Sequence, residues 1–147
     1  MNSSMLQHTM ISLQDNYVQS ALRSILNLGP SIVWALLILK LLLTQSSKLP
    51  KFPFLFSIPH FDKIIHAILF GVWMATLLWA SARHFKNRKG WKISMALVLV
   101  MGAATELIQE FAVISRQGSA LDLAADLAGA LLALAVLHRP IKTMIME

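Results

Sequence analysis

The chain has 147 residues, 56% of them hydrophobic and only 14% charged, with a mean hydropathy of +0.64 and a formal net charge of +6. That balance is too apolar for a water-soluble domain of this length and reads as a single-domain integral membrane protein. There is no cysteine, which excludes disulfides, thiolate metal sites and thiol nucleophiles, and the Lys and Arg residues fall in short clusters between apolar runs, which points to anionic lipid headgroups and away from nucleic acid.

Residues 1–24 mix apolar positions such as Leu6, Ile11, Val18 and Leu22 with Gln, Asn, Asp15 and Arg23, the pattern of an amphipathic interfacial helix or a flexible leader. No basic start followed by a compact apolar stretch and a small-residue cleavage site marks a secretory signal, so the apolar runs are expected to stay in the mature chain. The remainder, 25–147, is expected to be an all-α bundle of four membrane-crossing helices, because a bilayer leaves backbone groups few other ways to find partners. The first crossing is placed at 25–43, with Pro30 either kinking it or marking its beginning and Lys40 snorkelling near its end. A linker rich in Pro and Phe follows over 48–61. The second crossing is expected over 64–82, with Trp73 and Trp79 read as interfacial anchors, the third over 91–108, and the fourth over 121–137, ending at His138, Arg139 and Pro140.

Arg83, Lys86, Arg88, Lys89 and Lys92 follow the second crossing, and Arg139 and Lys142 follow the fourth. The positive-inside rule therefore puts both of these segments, and both termini, on the cytoplasmic side. Asp62, Glu106, Glu110, Asp122 and Asp126, five of the seven acidic residues, then gather at the outer surface with His66, Gln109 and Arg116. Asp62 and His66 share a helical face, as do Asp122 and Asp126, while Gly102, Glu106 and Gln109 fall on one face by spacings of four and three. An acidic residue at the centre of a crossing helix costs about 2.5–3.5 kcal/mol and less near the interface. Asp126 lies roughly 6 Å deeper than Asp122 along a helix, so its cost is partial, and the faces are expected to look inward, Asp122 and Asp126 continuing into Gly129 and Ala133.

Each residue also has a plainer role. Ser119-Ala120-Leu121-Asp122 is a capping-box pattern, and Asp62 suits a helix N-terminus. His66 alone reads as an interfacial histidine, Glu110 as solvated, and Gln109 as a hydrogen bond between helices. Glu106, toward a helix C-terminus, needs a partner such as Arg116, His66 or Lys63. Asp62, His66, Glu106, Asp122 and Asp126 offer donors for a divalent cation, although nothing in the spacing selects a metal and no cofactor is expected.

The order Asp62-Lys63, His66, Phe70-Gly71, Thr105-Glu106, Gln109-Glu110-Phe111, Arg116, Asp122 and Gly129-Ala130 resembles the VanZ-like family of small membrane proteins, over roughly residues 60–132. Ile114-Ser115 stands where the family often has Pro-Gly, and Asp126 where it usually has Asn. The resemblance implies a multi-pass protein of a bacterial inner membrane, some of whose relatives contribute to teicoplanin-type glycopeptide resistance, and it carries Asp62, His66, Glu106, Gln109, Arg116 and Asp122 over as site residues. The leading expectation is a polar mouth that binds an amphiphile, either a lipid-linked cell-wall precursor or the glycopeptide itself. The alternatives are an enzyme acting on a lipid headgroup, with Glu106 or an Asp as base, His66 as acid and Arg116 on phosphate, or a structural clasp that works through an unidentified protein partner.

Overall fold

The computed structural model describes residues 3–44, 59–84, 90–112 and 118–146, and among them it contains four α-helices and no strand. They are α1 (Ser3–Leu43), α2 (Phe61–His84), α3 (Gly90–Ala112) and α4 (Ala120–Met146). Each includes a stretch long and apolar enough to cross a membrane: Leu13–Leu43, Phe61–Ala82, Gly90–Ala112 and Ala120–Leu137. At 1.5 Å per residue even the shortest of these approaches the ~30 Å of a hydrocarbon core. Large apolar side chains such as Leu36, Ile68, Val100 and Leu132 point out of the bundle, as expected of helices that meet lipid instead of water.

Helix α2 is central, touching the other three, and its most extensive partner is α4. The reason is in the small residues. A Cβ added at Gly129 would lie 1.9 Å from the Ala67 carbonyl oxygen, and one at Gly71 would lie 3.1 Å from the Gly129 carbonyl, so the two backbones approach as closely as glycine permits. Around that seam Phe70, Met74, Leu78, Val98 and Ala130 form the buried core, which Ile38 and Leu42 of α1 complete.

Two indoles hold α1 against α2. Trp34 Nε1 donates to the Leu69 carbonyl at 2.8 Å, and Trp73 Nε1 donates to the Ser31 carbonyl at 2.9 Å. Trp73 is therefore a buried tie between helices and not the interfacial anchor expected from its position, because a ring with one polar edge can be buried where a helix carbonyl has a second lone pair to accept its N–H. Trp79, by contrast, keeps an exposed face. The N-terminal half of α1 carries exposed Leu13, Tyr17, Leu22 and Leu26.

Neither α1 nor α4 is interrupted at its proline. Helix α1 runs unbroken through Pro30, and α4 continues past His138, Arg139 and Pro140 to Met146. Each proline removes one backbone hydrogen bond, to the carbonyl of Leu26 or Val136, and the turns on either side carry the helix through. The linker over 48–58 and most of the basic segment after α2 lie outside the described residues.

Candidate functional site at the polar end of the bundle

The end of α1, the start of α2, the end of α3 and the start of α4 meet at one end of the bundle. Helix α2 begins from a turn at Pro59 and His60, where His60 adopts a left-handed φ of 56° and its carbonyl accepts the amides of Lys63 and Ile64. That first turn sets Asp62 and Lys63 at the rim and His66 one turn deeper. Lys63 Nζ lies 3.1 Å from Asp62 Oδ2 and 2.8 Å from Asp122 Oδ1, so a single ammonium joins the first turns of α2 and α4.

Below it lies a second group. His66 Nδ1 is 2.9 Å from Asp126 Oδ1 and 3.9 Å from Glu106 Oε1. All three side chains are buried: 3% of His66, 8% of Glu106 and none of Asp126 is exposed. One donor atom from each falls within 4.8 Å of the others. Glu106 Oε1 and Asp126 Oδ2 have no hydrogen-bond partner. An ionised carboxylate only accepts, so the His66–Asp126 contact calls for a proton on Nδ1 when Asp126 is charged, and the two orphaned oxygens still require a proton or a cation.

Space for Asp126 is left by α3. A Cβ at Gly102 would sit 2.9 Å from Leu123 Cδ1 and 3.2 Å from Asp126 Oδ2. The expected one-face alignment of Gly102, Glu106 and Gln109 is present, and all three are buried.

The other oxygen of Glu106 explains a difference from the sequence reading. Ser119 caps α4, its Oγ accepting the Leu121 amide at 3.2 Å and its carbonyl accepting the Asp122 amide at 2.9 Å. In a full capping box Asp122 would accept the Ser119 amide in return. Instead Glu106 Oε2 accepts that amide at 2.6 Å, and Asp122 turns to Lys63. A carboxylate from the neighbouring helix thus takes the place of the local one, and the same residue both caps α4 and faces His66. Glu110 does similar work at the rim, accepting the Gly118 amide at 2.9 Å, so it is engaged with the chain and not simply solvated.

The structure therefore brings together His66, Glu106 and Asp126, and separately Asp62 and Asp122 through Lys63. Gln109 stands apart, fully buried, with Nε2 donating at 2.9 Å to the Leu42 carbonyl, one of the free carbonyls that end α1. It is a tie between helices, worth about 0.6–2 kcal/mol in a membrane. Arg116, on which the sequence reading placed the clamp for a carboxylate or phosphate, lies outside the described residues. Lys63 is the residue that the reading undervalued. Its adjacency to Asp62 was visible, but its partner Asp122 is 59 positions away. Comparison of the chain with protein families, with characterised proteins and with solved structures finds no match.

Proposed function

We propose that this chain is a VanZ-like membrane protein of a bacterial envelope whose polar end, set on the outer face of the inner membrane with both termini cytoplasmic, binds the polar head of an amphiphile. A lipid-linked cell-wall precursor or a glycopeptide fits that description, and the consequence for the cell is glycopeptide tolerance or envelope maintenance. The observation that carries the reading is the pair of orphaned, buried oxygens, Glu106 Oε1 and Asp126 Oδ2. A bundle needing only to hold itself together gains nothing from acceptors left unpaired in a low-dielectric interior, whereas a site that awaits a ligand keeps such groups ready. The resemblance in residue order over 60–132 supplies the envelope context.

One observation favours a second reading. His66 is oriented by Asp126 at 2.9 Å with Glu106 alongside at 3.9 Å, the relation of a histidine acid–base group to the carboxylate that holds its tautomer. On that reading the same end of the bundle acts on the headgroup it binds.

Native mass spectrometry of the detergent-purified protein beside Glu106→Gln separates these readings from a clasp. A defined lipid or glycolipid adduct on the wild type that the variant loses supports the binding site, and turnover of that adduct selects the enzyme. Bare protein in both samples, with the variant less stable, makes the cluster a clasp and overturns the proposal.

A further inference from the structure

We propose that His66, Glu106 and Asp126 form a binding site for one divalent transition-metal ion, of which zinc is the representative. The inference rests on the geometry of these three side chains and not on the identity of any amphiphile.

The donor set is one imidazole nitrogen and two carboxylate oxygens, one from each of α2, α3 and α4. An imidazole in the set favours ions such as Zn²⁺, Fe²⁺ or Ni²⁺ over Ca²⁺, which takes oxygen alone. Donors about 2.0–2.2 Å from a tetrahedral zinc are ~3.4 Å from one another. Here His66 Nδ1 stands 2.9 Å from Asp126 Oδ1 and 3.9 Å from Glu106 Oε1, and no separation in the set exceeds 4.8 Å. Side-chain adjustments of ~1 Å close the triad on an ion of that size. The ion would take the place of the proton on His66 Nδ1 and give the orphaned Oε1 of Glu106 a partner.

Charge is compatible with such an ion: with His66 neutral and both carboxylates ionised the group carries −2, which one divalent ion would bring to zero as two protons would, the cheapest total for a buried group between membrane helices. Lys63 does not do this, because its ammonium is held by Asp62 and Asp122. Three protein ligands leave at least one coordination position for a ligand from outside. With the ion in place, this end of the bundle would attract a phosphate or carboxylate headgroup that the bare acids would repel.

The test uses full-length protein without a polyhistidine tag, stripped with EDTA in detergent and titrated with Zn²⁺, and with Co²⁺ as a visible-absorbing probe. The expected result is one equivalent bound, with d–d bands of a nitrogen- and oxygen-ligated site. Asp126→Asn, which preserves shape, should weaken Co²⁺ binding at least ~100-fold (about 2.7 kcal/mol). Asp15→Asn, in the exposed N-terminal half of α1, should leave it unchanged. No stoichiometric binding by the wild type overturns the proposal. So does binding that survives Asp126→Asn, or that Asp15→Asn weakens equally. Loss of metal binding alone, with the lipid adduct retained, would sink this inference and leave the amphiphile reading standing.

Discussion

The polar end of the bundle holds two charged groups built from similar residues and only one helical turn apart, yet they are in opposite states. At the rim, Asp62, Lys63 and Asp122 form a chain in which the one cation touches both acids and Asp62 remains largely open to solvent. One turn deeper, His66, Glu106 and Asp126 are buried, and two of their carboxylate oxygens accept no hydrogen bond. The rim group is complete in itself and tolerates solvent and salt. The deep group is incomplete, in surroundings where incompleteness is costly. Structure alone accounts for the first, and the second still requires a proton or a cation, which the proposed ligand would supply.

Predictions that bear on this contrast differ in size. The largest effect is expected below both groups, at the seam between α2 and α4. A Cβ at Gly129 meets backbone, the Ala67 carbonyl, at 1.9 Å, so Gly129→Ala should force the helices apart at a cost of about 3 kcal/mol or more and dismantle both groups together. Loss of monodisperse protein in size-exclusion chromatography would show it, and a normal profile would mean that the seam is looser than described.

Ser119→Ala sharpens the comparison from the other side. It removes the hydroxyl that caps α4 while leaving the Ser119 amide, and hence the bond from Glu106 Oε2, in place. The expected cost is about 1 kcal/mol, read as a shift of a few degrees in thermal melting, with metal and lipid binding preserved. Abolished binding would tie the deep group to the cap more closely than the contrast allows.

Asp62→Asn should have the smallest effect, at most about 1 kcal/mol, and it should shrink as salt is added, because Asp62 is the solvated member of the rim and Lys63 keeps its bond to Asp122. A large, salt-independent loss would show that the rim is as demanding as the interior.

The fold was legible in the sequence because length and polarity decide it. A run of ~20 apolar residues has few alternatives in a bilayer, and all four crossings are present, three of them close to the expected bounds, while the first apolar stretch, expected over 25–43, reaches back to Leu13. Of the two roles open to Pro30, it lies within a continuous helix and does not begin one, and the fourth apolar stretch ends at Leu137 as expected although its helix continues through Pro140. Within the site, the four-residue spacing of Asp122 and Asp126 and the one-face alignment of Gly102, Glu106 and Gln109 led to the correct inward faces. The division of labour was not legible. Whether Asp122 would accept the Ser119 amide or the Lys63 ammonium depends on a glutamate 13 positions before that serine, and no local pattern records the competition. Trp73 was misread for the same reason, since its partner at Ser31 is 42 residues away.

The most direct test of the contrast is the thermal melting of the Glu106→Gln/Asp126→Asn double variant beside the wild type, both in detergent with EDTA. If the deep group is held ready for a ligand, removing its two buried charges relieves the empty bundle, and the double variant should melt at the same temperature as the wild type or above it. If the double variant melts well below the wild type, the deep group is a clasp that stabilises the helices, and the central claim is wrong.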